Sequence, residues 1–389
     1  MTSAGYPLYA AAFFDRTTLV VGGGGGEGRH GIKNKLTSIN ASTGEVQQEY
    51  ELPAGEDNPT CLAAAGQRIY VGANRGAKAI EERKNLHLRV FDKNLQEQTA
   101  VDALKFTDPA AYQKAIAASE QIVAAVSDCA GGGALQVLES GTLDSLWSQT
   151  GDFLDVAISP DNALVAVVDS ASLVVYNAVT GKQIAKQASP KGGAKWVRVT
   201  FTSNLELIAG ANIPNQRARI QQLRIQDDVI KVIRSRSVPG KSLTCLKSTP
   251  HAVAVGTAAG DVYLYTSALK SLRNLRGTLK FPVTALAIIE DGEIATVAAT
   301  SLDGSYSISD VSLNTFSTTI WWVLLSTITI AFIAFISGRL ISMDLQYLSF
   351  RTLEPAAAPS KYPGDAANAD AMSDFEALFV DTNQGDNIS

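Results

Sequence analysis

Short apolar strands return along this chain at intervals too long for a simple hairpin stack and too regular for unrelated segments. Runs opening near Ala10, Cys61, Ala115, Leu154, Val197, Leu243 and Val283 lie roughly 40 to 55 residues apart, the interval of a four-stranded propeller blade. Helical periodicity is nearly absent before residue 310, and turn residues separate the runs. Phe153 to Gln187 is the clearest unit. Leu154 to Ile158, Leu164 to Asp169, Leu173 to Asn177 and Lys182 to Ala185 are joined by Pro160-Asp161-Asn162 and Val179-Thr180-Gly181, among other turns. The Gly-His and Trp-Asp pairs of strong repeats are missing, so the array is degenerate. Radial repetition of such sheets limits exposed strand edges. The expected fold is all-β, a seven-bladed WD40-like β-propeller over residues 1–315.

Composition fits one large cooperative core. The chain has 389 residues, 46% hydrophobic and 18% charged. Cys61, Cys129 and Cys245 are few, odd in number and unpatterned, which suits reduced thiols in a cytosol-facing domain; small buried strand residues are their plain role. Met1-Thr2-Ser3-Ala4-Gly5 lacks the basic and apolar regions of a signal peptide.

A different segment follows the repeats. Val311 to Gly338 holds no charged residue, and 319–338 has the apolar length of a transmembrane helix. Trp321 and Trp322 stand where an interfacial aromatic belt belongs, and Arg339 closes the run. Arg339 and Arg351 on the far side would by charge alone put the tail in the cytosol. Translocating a whole N-terminal propeller without a signal peptide is the harder step, so the expectation is a single-pass type II protein with a cytosolic propeller. Residues 339–389 carry 8 acidic and 3 basic side chains in a Pro/Ala/Asp/Ser-rich composition, and are expected to be a disordered lumenal tail. The remainder has 30 of each sign; a neutral propeller with no basic stripe argues against nucleic acid.

The most specific chemistry lies in Val20 to Leu36, VVGGGGGEGRHGIKNKL. Its glycines satisfy G-x-G-x-x-G, but a five-glycine run matches many patterns. Ile32-Lys33 follows Gly31 where a P-loop needs Lys-Ser/Thr, and the next segment alternates as a strand, whereas phosphate-binding loops lead into a helix. The run therefore joins two antiparallel strands. In a four-stranded blade the second-to-third and blade-to-blade connections emerge on one face. Gly22 to Lys35 would thus share a face with Gly72 to Lys84, which holds Arg75 and Lys78, and with Gly210 to Arg217. Two of these three loops are basic and would suit an acidic protein surface; solvated loops are the plain alternative. His30, His87 and His251 are far apart, without metal-ligand spacing, and no nucleophile motif is present. A binding platform without covalent chemistry fits better than an enzyme, which stays as an alternative.

Gly5-Tyr6-Pro7, Leu19-Val20-Val21, the glycine run at 22–28 and Gly31-Ile32-Lys33-Asn34-Lys35-Leu36-Thr37 together resemble the start of the Sec12 family, endoplasmic-reticulum membrane exchange factors for the small GTPase Sar1. Asp57-Asn58-Pro59-Thr60, His87 to Phe91 and Ser172 to Val175 with its Val179-Thr180-Gly181 turn resemble later family segments. The resemblance implies a first-blade loop that binds K⁺ and engages Sar1, loading GTP and starting COPII coat assembly, with coat-assembly proteins as further partners. On it rest the expected ion-holding residues, Gly23, Gly24, Gly25, Gly26, Gly31 and Asn34, chiefly through backbone carbonyls; dipoles of that kind can replace the hydration shell of a monovalent cation. Asn34 would hold the loop's shape, Ile32 would touch the GTPase, and Gly26, Glu27, Gly28, Arg29, His30, Gly31, Lys33, Lys35, Arg75 and Lys78 would line the contact. The chain departs from the family pattern with Lys33 in place of a proline and Arg29-His30 in place of asparagines. A membrane-anchored propeller scaffold without exchange activity is the other reading.

Overall fold

The computed structural model describes residues 2–27, 31–129, 132–240, 242–314 and 325–339. The chain divides into two units, Met1–Thr315 and Phe316–Ser389. The first is built of seven four-stranded antiparallel sheets, the blades of a β-propeller. Their inner strands are Leu8–Phe13, Cys61–Ala65, Tyr112–Ala118, Asp155–Ile158, Lys195–Phe201, Leu243–Ser248 and Val283–Asp291, close to where the apolar runs of the sequence begin.

Strand position within a blade explains the hydropathy of each run. The second strand has a neighbouring blade against each face, so it reads as continuous apolar sequence: Leu164–Val168 is buried at every position. The outermost strand meets water, and Ser145–Thr150 is exposed at all but one residue. Between blades four and five, Trp196, Val168, Val175, Leu207 and Leu223 form one cluster with Trp196 fully buried. Similar clusters fill the other inter-blade wedges.

The ring closes with a strand from the opposite end of the chain. Thr2–Ser3 pairs antiparallel with Ser305–Ser312, completing blade seven from outside. Tyr306 Oη donates to the Gly44 carbonyl of blade one at 2.7 Å, and Thr284 Oγ1 donates to Leu8 O at 2.7 Å. Both bonds join the last blade to the first.

A short helix, Ala77–Glu81, lies in the second-blade connection, where no helix was expected. Its Ile80 is buried with Phe106 and Ala111, which fixes this long loop against the next blade. In the second unit, residues 325–339 are helical, and Leu325, Ile328, Ile330, Phe332, Ile333 and Phe335 on it are exposed. Among the described residues, no helix is long and apolar enough to cross a membrane. The expected span over 319–338 begins outside the described residues, and the tail from 340 onward lies outside them altogether.

His87 is fully buried beneath the third blade. Leu104 N–H donates to Nε2 at 3.0 Å, which leaves the proton on Nδ1 to bond Gln113 Oε1 at 3.0 Å. The ring stacks on Phe106, with centroids 4.6 Å apart. Burial pushes its pKa down to about 4, against a smaller upward pull from Gln113. The imidazole is therefore a neutral structural group. With the folded value below the unfolded one, its contribution is full above about pH 6.5 and is lost as pH falls toward 4. NMR titration should find the His87 ring still neutral at pH 5; a midpoint near 6.5 would refute this assignment.

Candidate functional site

The loop 24–34 leaves blade one between the paired strands Thr18–Gly23 and Lys35–Asn40. Its two arms run against each other, and that closeness explains the glycines. A Cβ on Gly24 would lie 2.2 Å from Asn34 Oδ1 and 2.5 Å from its Cα. Gly24 and Gly26 have φ of 144° and 79°, values that side-chain-bearing residues rarely adopt.

Asn34 holds the arms together. Its amide is buried; Oδ1 accepts from Gly26 N at 3.0 Å, while Nδ2 donates to Gly26 O at 3.0 Å and Glu56 O at 2.8 Å. The backbone joins in, with Leu52 N donating to Asn34 O at 2.9 Å. One side chain thus imitates a strand partner for Gly26 and ties the loop to the connection into blade two. A second tether comes from Glu27, whose Oε1 accepts from Ala77 N at 3.0 Å at the start of the short helix.

Beneath Glu56 lies an ion network that the sequence reading did not single out. Arg89 is fully buried in the strand Leu88–Phe91 and donates to Glu56 Oε2 at 2.7 Å and to Glu97. Arg75 donates to Glu56 Oε1 at 2.9 Å and also to Glu97. Burial opposes the Arg75 charge, but Glu56 and Glu97 outweigh it and raise its pKa. The expectation of Arg75 as a solvent-facing contact therefore does not match its place: its side chain is 22% exposed and bonded to both carboxylates. The available signal was Arg89 itself, because a charge inside an apolar strand demands a buried counter-charge.

The other predicted positions are spread over the loop's surface. Ile32 is 42% exposed, large for an isoleucine with no packing role. Lys33 pairs with Glu51 at 2.8 Å and Lys35 with Glu49 at 2.8 Å. Lys78 is highly exposed, 3.8 Å from Glu82 at the C-terminal cap of its helix. Gly31 is exposed with φ 72°, and Gly23 ends its strand so close to Pro7 that a Cβ would meet Pro7 O at 1.9 Å. A Cβ on Gly25 would meet Ile32 at 3.0 Å, across the two arms. Gly28, Arg29 and His30 lie outside the described residues.

Oxygen atoms gather beside Gly26. The side-chain oxygens of Asp57 and Asn58 would lie 3.4 and 3.6 Å from a Cβ placed there. Burial raises the Asp57 pKa; the Asn58 N–H pulls it down, the Glu27 charge raises it again, and the Glu27 N–H lowers it. Among the described residues no Lys, Arg or His forms an ion pair with Asp57. A half-buried carboxylate beside amide and carbonyl oxygens is a donor set that fits a hard monovalent cation. Asp57 and Asn58 had no expected part in the loop, since nothing in their spacing announces that they fold back onto Gly26.

Replacing Asn34 by Asp keeps the acceptor but turns two donated bonds into carboxylate–carbonyl repulsion. Asn34→Asp should destabilise the loop more than the fold, raising amide exchange at Gly26 by about tenfold or more. Unchanged exchange there would show that the clamp is not formed.

Comparison with known proteins extends the likeness beyond the loop. A family model described as a domain of unknown function (DUF1899) matches residues 89–142, within blades two and three. The guanine nucleotide-exchange factor SEC12 of Candida glabrata is 27% identical over 368 residues, covering 88% of this chain and 79% of that protein. The SED4 proteins of Candida glabrata and Saccharomyces cerevisiae are 26% and 23% identical over 79% and 64% of this chain. The chain spans only 31% and 26% of those two longer proteins. The likeness thus covers most of the chain and not only the glycine run, and it is to proteins named as SEC12 and SED4 guanine nucleotide-exchange factors.

Proposed function

We propose that this protein is a guanine nucleotide-exchange factor for the small GTPase Sar1, anchored at the endoplasmic reticulum with its propeller in the cytosol. The observation that carries the reading is the Asn34 clamp: a glycine loop that would otherwise be floppy is held in one projecting shape, with Ile32 exposed on its returning arm. Pre-ordering a loop lowers the entropic cost of binding through it. The name of the Candida glabrata SEC12 relative supports the activity, and the apolar run over 319–338 supports an anchor.

Exchange requires no bond making. A factor that binds the nucleotide-free GTPase more tightly than the GDP form lowers nucleotide affinity by the same factor, and incoming GTP reverses the effect. Ile32 supplies an apolar contact, and the exposed Lys78 offers charge on the neighbouring loop. Lys33 and Lys35 already pair with Glu51 and Glu49, so their part is to hold the returning arm's approach. Asp57, Asn58 and the Gly26 carbonyl would hold K⁺. When bound, that ion supplies positive charge that offsets Asp57 and stiffens the loop's base. Membrane anchoring would place the GTP form beside the bilayer where COPII proteins assemble.

Release of a fluorescent GDP analogue from Sar1 tests the reading. The full chain should accelerate release, with Ile32→Ala and Asn34→Ala each slowing it by about tenfold or more, the effect of losing a hot-spot contact or its support. Replacing K⁺ by tetramethylammonium should slow the wild type while leaving its melting temperature nearly unchanged. Release indifferent to both substitutions would overturn the proposal; indifference to the cation alone would remove K⁺ from it.

A further inference from the structure

The seven inner strands surround a central channel, and its walls are not uniform. On the face carrying the glycine loop, the mouth is lined by Asp57, Asn58, Pro109 and Pro282 among others. One step deeper lies a cavity of about 150 Å³ to which all seven inner strands contribute. Its walls are largely Ala, Leu and Cys, interrupted by Lys114, Arg198, Lys247 and Asp155. We infer that this level of the channel is a binding site for a small multivalent oxyanion of the phosphate class, held by Arg198 and Lys247 with Lys114 beside them.

Unspent charge is the first argument. Arg198 donates only to the Val197 carbonyl beside it, at 2.8 Å, and forms no ion pair among the described residues. The Lys247 side chain forms neither a hydrogen bond nor an ion pair among them, although both side chains are partly buried. Asp155 is the nearby carboxylate, and its Oδ2 is already engaged by Val199 N–H at 3.0 Å. Two cations thus face one buried carboxylate in a confined space, where burial raises the Asp155 pKa in spite of them. Lys114, 17% exposed, already pairs with Asp128 at 2.8 Å and lies 3.7 Å from Asp152. Two cations set against a single, already engaged carboxylate in a cavity leave positive charge that an anion can neutralise.

Construction is the second argument. The pairing register slips by one residue between Leu8 and Ala10, Gln113 and Ala115, Trp196 and Arg198, Leu243 and Cys245, and Val283 and Ala285. Five of the seven inner strands are therefore bulged at one level, and Lys114 is the extra residue in blade three. Bulges re-aim side chains. Lys114 is itself such an extra residue and Arg198 directly follows the slip in its strand, while Lys247 lies two residues past the slip in blade six.

Size and chemistry select the ligand class. The cavity is below the range of pockets that enclose a nucleotide or other drug-sized molecule, so it suits an ion. A guanidinium fork favours an anion that presents two oxygens, which distinguishes phosphate from chloride. This site is separate from the loop and stands whether or not the chain exchanges nucleotide.

Isothermal titration of the full chain in detergent, with sodium phosphate against sodium chloride at matched ionic strength, provides the test. Phosphate should bind saturably with one ion per chain. Lys247→Gln and Arg198→Gln should each weaken it about tenfold, the value of one charge-assisted contact. Asp155→Asn should strengthen it, and the exposed Lys182→Gln should leave it unchanged. Because the Lys247 side chain makes no hydrogen bond or close ion pair in the free protein and its charge bears on Asp155 only at longer range, Lys247→Gln should nearly keep the phosphate-free melting temperature. Absence of saturable binding, binding that survives in the Arg198→Gln/Lys247→Gln protein, or a phosphate-free melting temperature well below wild type for Lys247→Gln would each overturn the inference.

Discussion

A blade buried on both faces has no stability by itself, and that constraint governs this molecule. Second and third strands such as Leu164–Val168 and Ser172–Asn177 are buried at every position but the last of the second, so each sheet needs a neighbour on both sides. Only a closed ring satisfies every sheet at once. The circle is completed by a pairing of two residues, Thr2 and Ser3 with Tyr306 and Ser305, reinforced by the bonds from Tyr306 to Gly44 and Thr284 to Leu8. The inter-blade wedges carry the hydrophobic stabilisation; the terminal strand sets which blade is last.

Given a rigid ring, irregular backbone can be supported at its rim. The loop 24–34 has no hydrophobic core of its own, and its shape comes from polar bonds to neighbours that the ring holds still. Glu56 joins the two systems: its carbonyl receives the Asn34 amide while its carboxylate receives Arg75 and Arg89. Loop shape and a buried ion network therefore meet in one residue. A buried charge set of this kind adds little net stability, but it fixes geometry, because each guanidinium must face both carboxylates for any of the four charges to be satisfied.

The same ring sets the character of its axis. Inner strands converge on the axis, and several of them run through alanines there, as in Ala10 to Ala12 and Ala63 to Ala65. Against that background, a few basic groups lining the channel are conspicuous. Three blades supply them, and no short stretch of sequence contains more than one.

Much of the architecture was legible from residue order because it is written in local patterns. Blade spacing, the alternation or continuity of each strand, and the turns at Pro160-Asp161-Asn162 and Val179-Thr180-Gly181 depend on near neighbours in the chain. So did the recognition that the glycine run joins two strands, since Lys35 to Asn40 alternates. The role of Asn34 as a clamp, by contrast, depends on Gly26 and Glu56 being brought to it, 8 and 22 residues away. Arg75 read as a free basic loop residue because Glu56 and Glu97 are distant in sequence and adjacent only across the folded blade. Asp57 and Asn58 beside the loop, the helix Ala77–Glu81 and the basic channel level arise in the same way. Periodicity records which face of a strand avoids water, and so determined the ring; charge pairing and oxygen clustering record which separate segments meet, and only the closed ring decided those.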